Sequence, residues 1–346
     1  MSRIEVVAPN LKFRLSGVTS TIIQLVPVQA RTIGIATLGP GLPDGLPKMR
    51  WWQVPGLLRK PASGRKRIWH ARRNTEMVAG LFLRSILRAP LHLLFTSAAQ
   101  RKHKPFTKWL IRRMEAVIAT SARSGSYLEV PHQVVMHGVD LDVFHPPASA
   151  EDDFTASGLP GRFAIGCFGR IREQKGTDLF VDAMIELLPG YPEWTAVITG
   201  RVTAENLPFA KTLKERVEAA GLSDRILFLG EVPDVKVWFR RVSLYVAPSR
   251  NEGFGLTPLE AMASRTAVVA SDAGAYAEMI VPGETGAVVP AGDGARLTAV
   301  IQPYLADPKL AEAHGLNALA HVRKNFPLAR EAEAIARVYD RLWLVQ

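Results

Sequence analysis

The chain has one cysteine, Cys167, in 346 residues. That scarcity excludes an internal disulfide framework and any metal site built from several thiolates. Cys167 itself lies in an apolar, strand-like run, where a thiol behaves as a small hydrophobe. Long apolar runs are also missing, and none approaches the roughly 20 residues that a membrane-crossing helix needs. The segment Met1–Asn10 passes directly into a strand pattern without the features of a secretory signal, so a cytoplasmic protein is expected. Neither a fixed-period repeat nor a low-complexity segment is found. The most informative shortage is of acid. Between Arg50 and Arg123 there are 17 Lys or Arg against only Glu76 and Glu115, while the rest of the chain holds 26 basic and 30 acidic residues. Such asymmetry points to an anionic partner, either nucleic acid or a membrane surface.

What is present fits two globular α/β units. A chain of 346 residues is long for one core, and short apolar strands alternate with helical patterns throughout, the signature of parallel sheets. The first unit runs from a strand at 4–8 through strands at 33–38, 91–96, 116–120 and 133–136. The segment 137–147 leaves it and enters a polar linker, and the second unit begins with the strand 162–168. The expected boundaries are 1–147 for the first domain and 148–327 for the second, followed by a final helix within 328–346.

The second unit is organised around Ser249–Ile280. There a glycine-relaxed loop, Asn251-Glu252-Gly253-Phe254-Gly255-Leu256, runs into a helix start at Thr257-Pro258. Gly253 and Gly255 allow close backbone approach to a ligand, and the free N–H groups of a helix start favour an anion. Two carboxylates, Glu252 and Glu260, bracket the turn. For Glu260 a structural reading competes: Thr257 as N-cap with Glu260 three positions on would make a capping box. Glu252 has no comparable structural excuse. Arg170 and Lys175 follow the strand 162–168 and precede a helix, a placement suited to anion capture at the carboxyl edge of a parallel sheet.

Other candidates carry two readings each. Ser16-Gly17 precedes a helical pattern and is either a phosphate-type loop or an ordinary turn. His70 lies between a short apolar pair and a helix expected at 76–87, and is either structural or functional. Phe106, Trp109, Leu110 and Met114 share one helical face with cations opposite, as in an interfacial helix or in an ordinary docked one. Asp140-Leu141-Asp142 resembles a metal-binding pair, but its position before prolines favours a turn.

Taken together, these residues resemble the retaining glycosyltransferases of the GT4 family. The resemblance rests on Gly169-Arg170-Ile171 with Lys175-Gly176-Thr177, on Ile198-Thr199-Gly200, on Phe228-Leu229-Gly230 and on Pro248–Ala263 with its Glu-x7-Glu spacing. Val268-Val269-Ala270-Ser271-Asp272 closes the set, and Gly138-Val139-Asp140 with Phe144 and Pro146 is similar to the family's exit from its first domain. It covers most of 130–345 and only thinly 1–75. Arg265 and Ala267 stand where the family usually has Gly and Pro, and Ser16-Gly17 replaces a common Gly-Gly.

The resemblance implies the GT-B architecture: two Rossmann-like domains facing each other across a cleft, with the last helix crossing back to the first domain, Phe326-Pro327 serving as hinge. It implies a nucleotide-sugar donor in the second domain and a hexosyl transfer that retains anomeric configuration. Arg170 and Lys175 would neutralise the diphosphate and Glu252 would bind donor sugar hydroxyls. The backbone of Phe254, Gly255 and Leu256 would approach sugar and phosphate, and Glu260 would bind the ribose. Gly17 would belong to the donor site, and His70 is similar to the family histidine lying over the reacting sugar. No metal or other cofactor is expected.

More narrowly, the basic first domain with Trp69-His70-Ala71-Arg72-Arg73-Asn74 resembles lipopolysaccharide-core mannosyltransferases of α-proteobacteria. That implies GDP-mannose as donor, a lipid-linked acidic saccharide as acceptor, and attachment to the anionic inner face of the cytoplasmic membrane. Other donors, UDP-glucose or UDP-galactose, and other glycolipid or polysaccharide acceptors remain open. From a different class, a nucleic-acid-binding protein acting through 50–123 is a rival, although no binding motif accompanies the charge. A dinucleotide oxidoreductase would need a Gly-x-Gly-x-x-Gly turn, which Gly166-Cys167-Phe168-Gly169 does not supply.

Overall fold

Short strands rich in Val, Ile and Leu, buried along nearly their whole length, require cover on both faces and so build parallel sheets flanked by helices. The computed structural model describes residues 1–13 and 17–344 and divides into two compact units, Met1–Gly138 with Leu328–Gln346, and Val139–Pro327.

Unit 1 runs β1 (Val6–Pro9), α1 (Gly17–Gln29), β2 (Ile35–Leu38), β3 (Lys48–Met49), β4 (Arg67–Ala71), α2 (Asn74–Leu81), β5 (Leu91–Ser97), α3 (Pro105–Ile111), β6 (Ala116–Ala119), α4 (Ala122–Gly125) and β7 (Gln133–Val134). Its seven strands are parallel in the order β3-β2-β1-β4-β5-β6-β7. The period of two divides the core. Val6, Ala8, Ile68 and Leu94 face one helical layer, while Val7, Trp69, Ala71 and Leu93 face the other.

Unit 2 continues with β8 (Phe163–Phe168), α5 (Thr177–Leu187), β9 (Trp194–Thr199), α6 (Leu207–Ala219), β10 (Ile226–Gly230), α7 (Val235–Arg241), β11 (Leu244–Ala247), α8 (Thr257–Ala263), β12 (Ala267–Ser271), α9 (Tyr276–Met279), β13 (Gly286–Val289), α10 (Gly294–Ala306) and α11 (Pro308–Asn325). Its parallel sheet has the order β10-β9-β8-β11-β12-β13.

The last helix, α12 (Leu328–Leu344), belongs to unit 1. Its stripe of Leu328, Ala332, Ile335, Tyr339 and Leu342 joins Ile22 and Leu25 of α1 in one core. Full burial of each large apolar side chain is worth about 1.5–3 kcal/mol, enough to hold a segment so remote in sequence. Glu331 fastens its start, accepting from His137 Nδ1 at 2.7 Å and from Gly138 N at 2.8 Å.

Several expectations change. The unit boundary lies at 138/139, earlier than 147, because Val139–Pro147 packs with unit 2: Val139 N donates to Phe326 O at 2.9 Å and Phe144 stacks edge-on against Phe239. Asp140, by contrast, makes the expected turn, its Oδ1 accepting from the backbone of Asp142 and Val143 at 3.0 and 3.3 Å. In α3 the buried pair is Leu110 and Ile111, whereas Phe106 and Trp109 remain 58% and 46% exposed and stack on each other. The helix ends after seven residues, so its sheet-facing stripe is only one turn long and the expected four-residue face never forms. Arg265, where the resemblance led to Gly, adopts φ +66 just past α8, a conformation that glycine takes with least strain.

Candidate active site

The central strands of unit 2, β8 and β11, are neighbours whose onward connections wind to opposite sides of the sheet. Loops leaving the carboxyl ends of such a pair frame the ligand crevice of an open α/β sheet. Both loops that attracted attention in the sequence are there. After β8 come Gly169, Arg170 and a short turn, Glu173–Lys175; after β11 come Pro248 to Leu256.

Long-range contacts fix these loops to each other. Arg250 and Asn251 donate backbone N–H groups to Gln174 O, and the Arg250 guanidinium grips Asp178 on α5 with two bonds of 2.6 and 2.7 Å. Gly176 turns the chain into α5 at φ +70, and a Cβ there would collide with the carbonyl of Pro248. The consequence is that Lys175 Nζ donates to Glu252 Oε2. Arg170 and Lys175 line one small cavity with Ser249, Thr257 and Tyr276.

Gly255 has φ +84 and lies so close to the Tyr276 ring that a Cβ cannot be accommodated. Tyr276 is buried, burial holds its hydroxyl well above the ordinary phenol range, and that hydroxyl points toward Glu252 Oε2 at 3.5 Å. Phe254 is buried, its carbonyl accepting from Ala275 N at 3.1 Å. Leu256 is the N-cap of α8, helical in its own backbone, with no side-chain cap.

That last detail removes the capping box. Thr257 is already the first residue of α8 and no cap bond involves Glu260. Among the described residues no hydrogen bond to its carboxylate is found. Burial raises the Glu260 carboxyl to about 7, with the charge of Lys175 opposing the shift. A half-buried carboxyl with no protein partner, beside the Lys175–Glu252 pair, is a candidate ligand-binding group.

In unit 1 the outcome differs. His70 lies within β4 and is fully buried. Its Nδ1 is 2.7 Å from Tyr339 Oη and its Nε2 is 2.6 Å from Thr96 Oγ1. Burial, with the nearby charge of Arg72, lowers its pKa well below the usual value and keeps the ring neutral. Gly17 opens α1 at an exposed position where, among the described residues, a Cβ would meet nothing within 4 Å. Ser16 lies outside the described residues. Cys167 is buried with its thiol pushed up to about 12, consistent with inert core.

A much larger cavity, about 870 Å3, lies elsewhere in unit 2, lined by Phe163, Val242, Ser243 and Thr266 at the starts of β8, β11 and β12. That is the amino edge of the sheet, opposite the edge where α/β sheets bind ligands, so size alone misplaces the site. Sequence reasoning did not single out Tyr276, Asp178 or Tyr339. Their roles arise from contacts between distant segments and leave no local pattern.

The family model described as glycosyl transferases group 1 matches residues 149–321. Over 340 residues the chain is 71% identical to the lipopolysaccharide core biosynthesis mannosyltransferase LpcC of Rhizobium leguminosarum bv. viciae, covering 98% of this chain and 97% of that protein. It is 52% identical to the lipopolysaccharide core biosynthesis mannosyltransferase LpsB of Rhizobium meliloti (strain 1021), with 98% of each covered. A solved glycosyltransferase from Rickettsia africae ESF-5 is similar in fold, with TM-score 0.83 over 99% of this chain and 98% of that one at 18% identity.

Proposed function

The chain belongs to the group 1 glycosyl transferases and is a hexosyltransferase of GT-B fold, and we propose that it transfers mannose from GDP-mannose to the inner core of lipopolysaccharide. The observation that carries this reading is 71% identity over 98% of the chain to a lipopolysaccharide core mannosyltransferase. The geometry of unit 2 supports a sugar-nucleotide donor. Arg170 and Lys175 would take the diphosphate, which replaces Glu252 as the partner of Lys175. Positive charge held there stabilises the leaving diphosphate as the glycosidic bond breaks. Glu252, once released, accepts from donor sugar hydroxyls, and Glu260 accepts from the ribose. The Gly255–Leu256 backbone, pressed against Tyr276, sets the floor of the sugar pocket.

His70, neutral and bonded on both ring nitrogens, anchors β4 to α12 and β5 in this reading instead of touching the sugar. For the acceptor, a lipid-linked acidic saccharide at the cytoplasmic face of the membrane agrees with the basic span 50–123. Among the described residues no helix is long and apolar enough to cross a membrane. Attachment would therefore use a surface, and unit 1 has a suitable one. The starts of α2 and α3 are joined by Asn74 and Thr107 at 2.8 Å, and Arg84 reaches Glu115 and the carbonyl of Arg113 near their ends. The two therefore lie side by side. The helical segment Phe82–Ile86 that continues α2 exposes Phe82 and Ile86, and α3 exposes Phe106 and Trp109, with Arg113 stacked 3.7 Å over Trp109. Aromatic and aliphatic side chains rimmed by cations suit an anionic lipid surface.

A panel of GDP- and UDP-sugars, screened first by thermal shift and then for transfer to core saccharide, tests the proposal. GDP-mannose should give the largest shift and the fastest transfer. Lys175→Ala and Glu252→Ala should each lower transfer by at least about a hundredfold with circular dichroism unchanged. Full activity in either variant would remove the assigned site.

A further inference from the structure

We propose that Arg72 is an oxyanion-binding residue of unit 1, taking a phosphate or carboxylate group of a substrate at the carboxyl edge of β4. The position comes from topology. In the order β3-β2-β1-β4-β5-β6-β7, the connections leaving β1 and β4 diverge, which makes their carboxyl ends the crevice of this sheet. β1 ends at Pro9 and is followed by Asn10; β4 ends at Ala71 and is followed by Arg72.

Two arginines stand there, and they are used differently. Arg73 is built into the frame: its Nη1 donates to Asn10 Oδ1 at 2.7 Å and to Glu76 Oε1 at 2.9 Å, and its Nη2 donates to Thr19 Oγ1 at 2.9 Å. Arg72 is half-buried, and among the described residues its guanidinium makes one hydrogen bond, from Nη1 to His70 O at 3.3 Å. A guanidinium has five N–H donors and stays charged in proteins, so most of this fork has no protein acceptor.

The nearby carboxylates do not supply one. Glu76 directs Oε2 to the backbone N–H of Arg72 at 2.7 Å and Oε1 to Arg73. Glu331 is occupied by His137 Nδ1 and Gly138 N. Burial lowers the pKa of Arg72, against the opposing fields of Glu76 and Glu331. The half-buried guanidinium keeps a planar fork of open donors, which matches a carboxylate or phosphate with two parallel bonds. The surrounding acids hold the cation in place while leaving the fork to an incoming anion.

This inference rests on the glycosyl-transfer reading only for the source of the anion, either the donor diphosphate or an acidic group of the acceptor. Two readouts separate the possibilities. Inorganic phosphate, titrated at constant ionic strength into the Arg170→Ala/Lys175→Ala protein, should raise its unfolding temperature by mass action. Adding Arg72→Gln to that background should remove the rise, and Arg72→Lys should keep part of it. An equal rise with and without Arg72 overturns the proposal. In transfer assays Arg72→Gln should raise one KM by at least about tenfold, the size expected for losing a hydrogen-bonded charge. A higher KM for the acceptor saccharide places the anion on the acceptor, and a higher KM for the sugar nucleotide places it on the donor. No change in either KM refutes a role in transfer. A protein that transfers no sugar but keeps an Arg72-dependent phosphate response would discard the transferase reading and leave the oxyanion site standing.

Discussion

Glu260 offers the sharpest test, because one side chain links stability to ligand binding. Its carboxyl is raised from 4.5 to about 7 by burial. The folded protein therefore keeps a proton that the unfolded chain releases. The resulting stability is fully present below about pH 4.5 and is lost as pH rises through about 7. A displacement of that size corresponds to about 3 kcal/mol between the two limits. Glu260→Gln keeps the shape of the protonated acid but cannot ionise. Urea unfolding of wild type and variant, followed by tryptophan fluorescence at several pH values from 5 to 8.5, should give nearly equal stabilities at the acidic end. The variant should become the more stable by about 3 kcal/mol at the alkaline end. Other titrating groups are common to both proteins and cancel in the difference. In the same experiments, sugar-nucleotide affinity of the wild type should rise from pH 6 to 8, as the carboxylate that accepts ribose hydroxyls becomes populated. The variant should bind about tenfold or more weakly without that pH dependence. A stability difference that stays flat with pH would refute the desolvated-acid argument. Unchanged affinity in the variant would refute the ribose contact.

Tyr339→Phe should cost about 1 kcal/mol in unit 1 by removing the bond to His70, with donor affinity unaffected. Because burial depresses the pKa of His70, its contribution is present above about pH 6.5 and declines in more acidic solution; a His70→Gln protein with the same acid profile as wild type would contradict this. For the membrane surface, Phe106→Ser/Trp109→Ser should weaken co-sedimentation with vesicles containing anionic lipid. Wild type should bind neutral vesicles poorly, and equal binding to both vesicle types would count against an electrostatic surface.

Much of the fold was legible because its cause is local. Continuous apolar strands joined by helical patterns force covered parallel sheets, and each sheet then presents its loops at the carboxyl ends of its central strands. The Arg170, Lys175 and Glu252 group could be read for the same reason: each lies at a strand end, within a few residues of the glycines that shape its loop. Reading failed where a short element's surroundings decided the outcome. The four apolar residues of 106–114 have helical spacing, yet the helix stops at Ile111, so Phe106 and Trp109 never reach the core. Thr257 and Glu260 have capping-box spacing, but the chain turns helical at Leu256 and the box is not made.

By itself, then, the sequence determined two α/β units, the strand-end cations, the glycine loop and the concentration of positive charge. These follow from periodicity, from glycine's conformational freedom and from simple counting. Only the tertiary structure decided which side chains were spent on the protein. His70 meets Tyr339 across 269 residues of chain, and Arg73 is consumed by Asn10, Thr19 and Glu76 while its neighbour Arg72 keeps most of its donors. A hydrogen-bond partner is set by where the backbone brings distant segments together, and no local pattern records it.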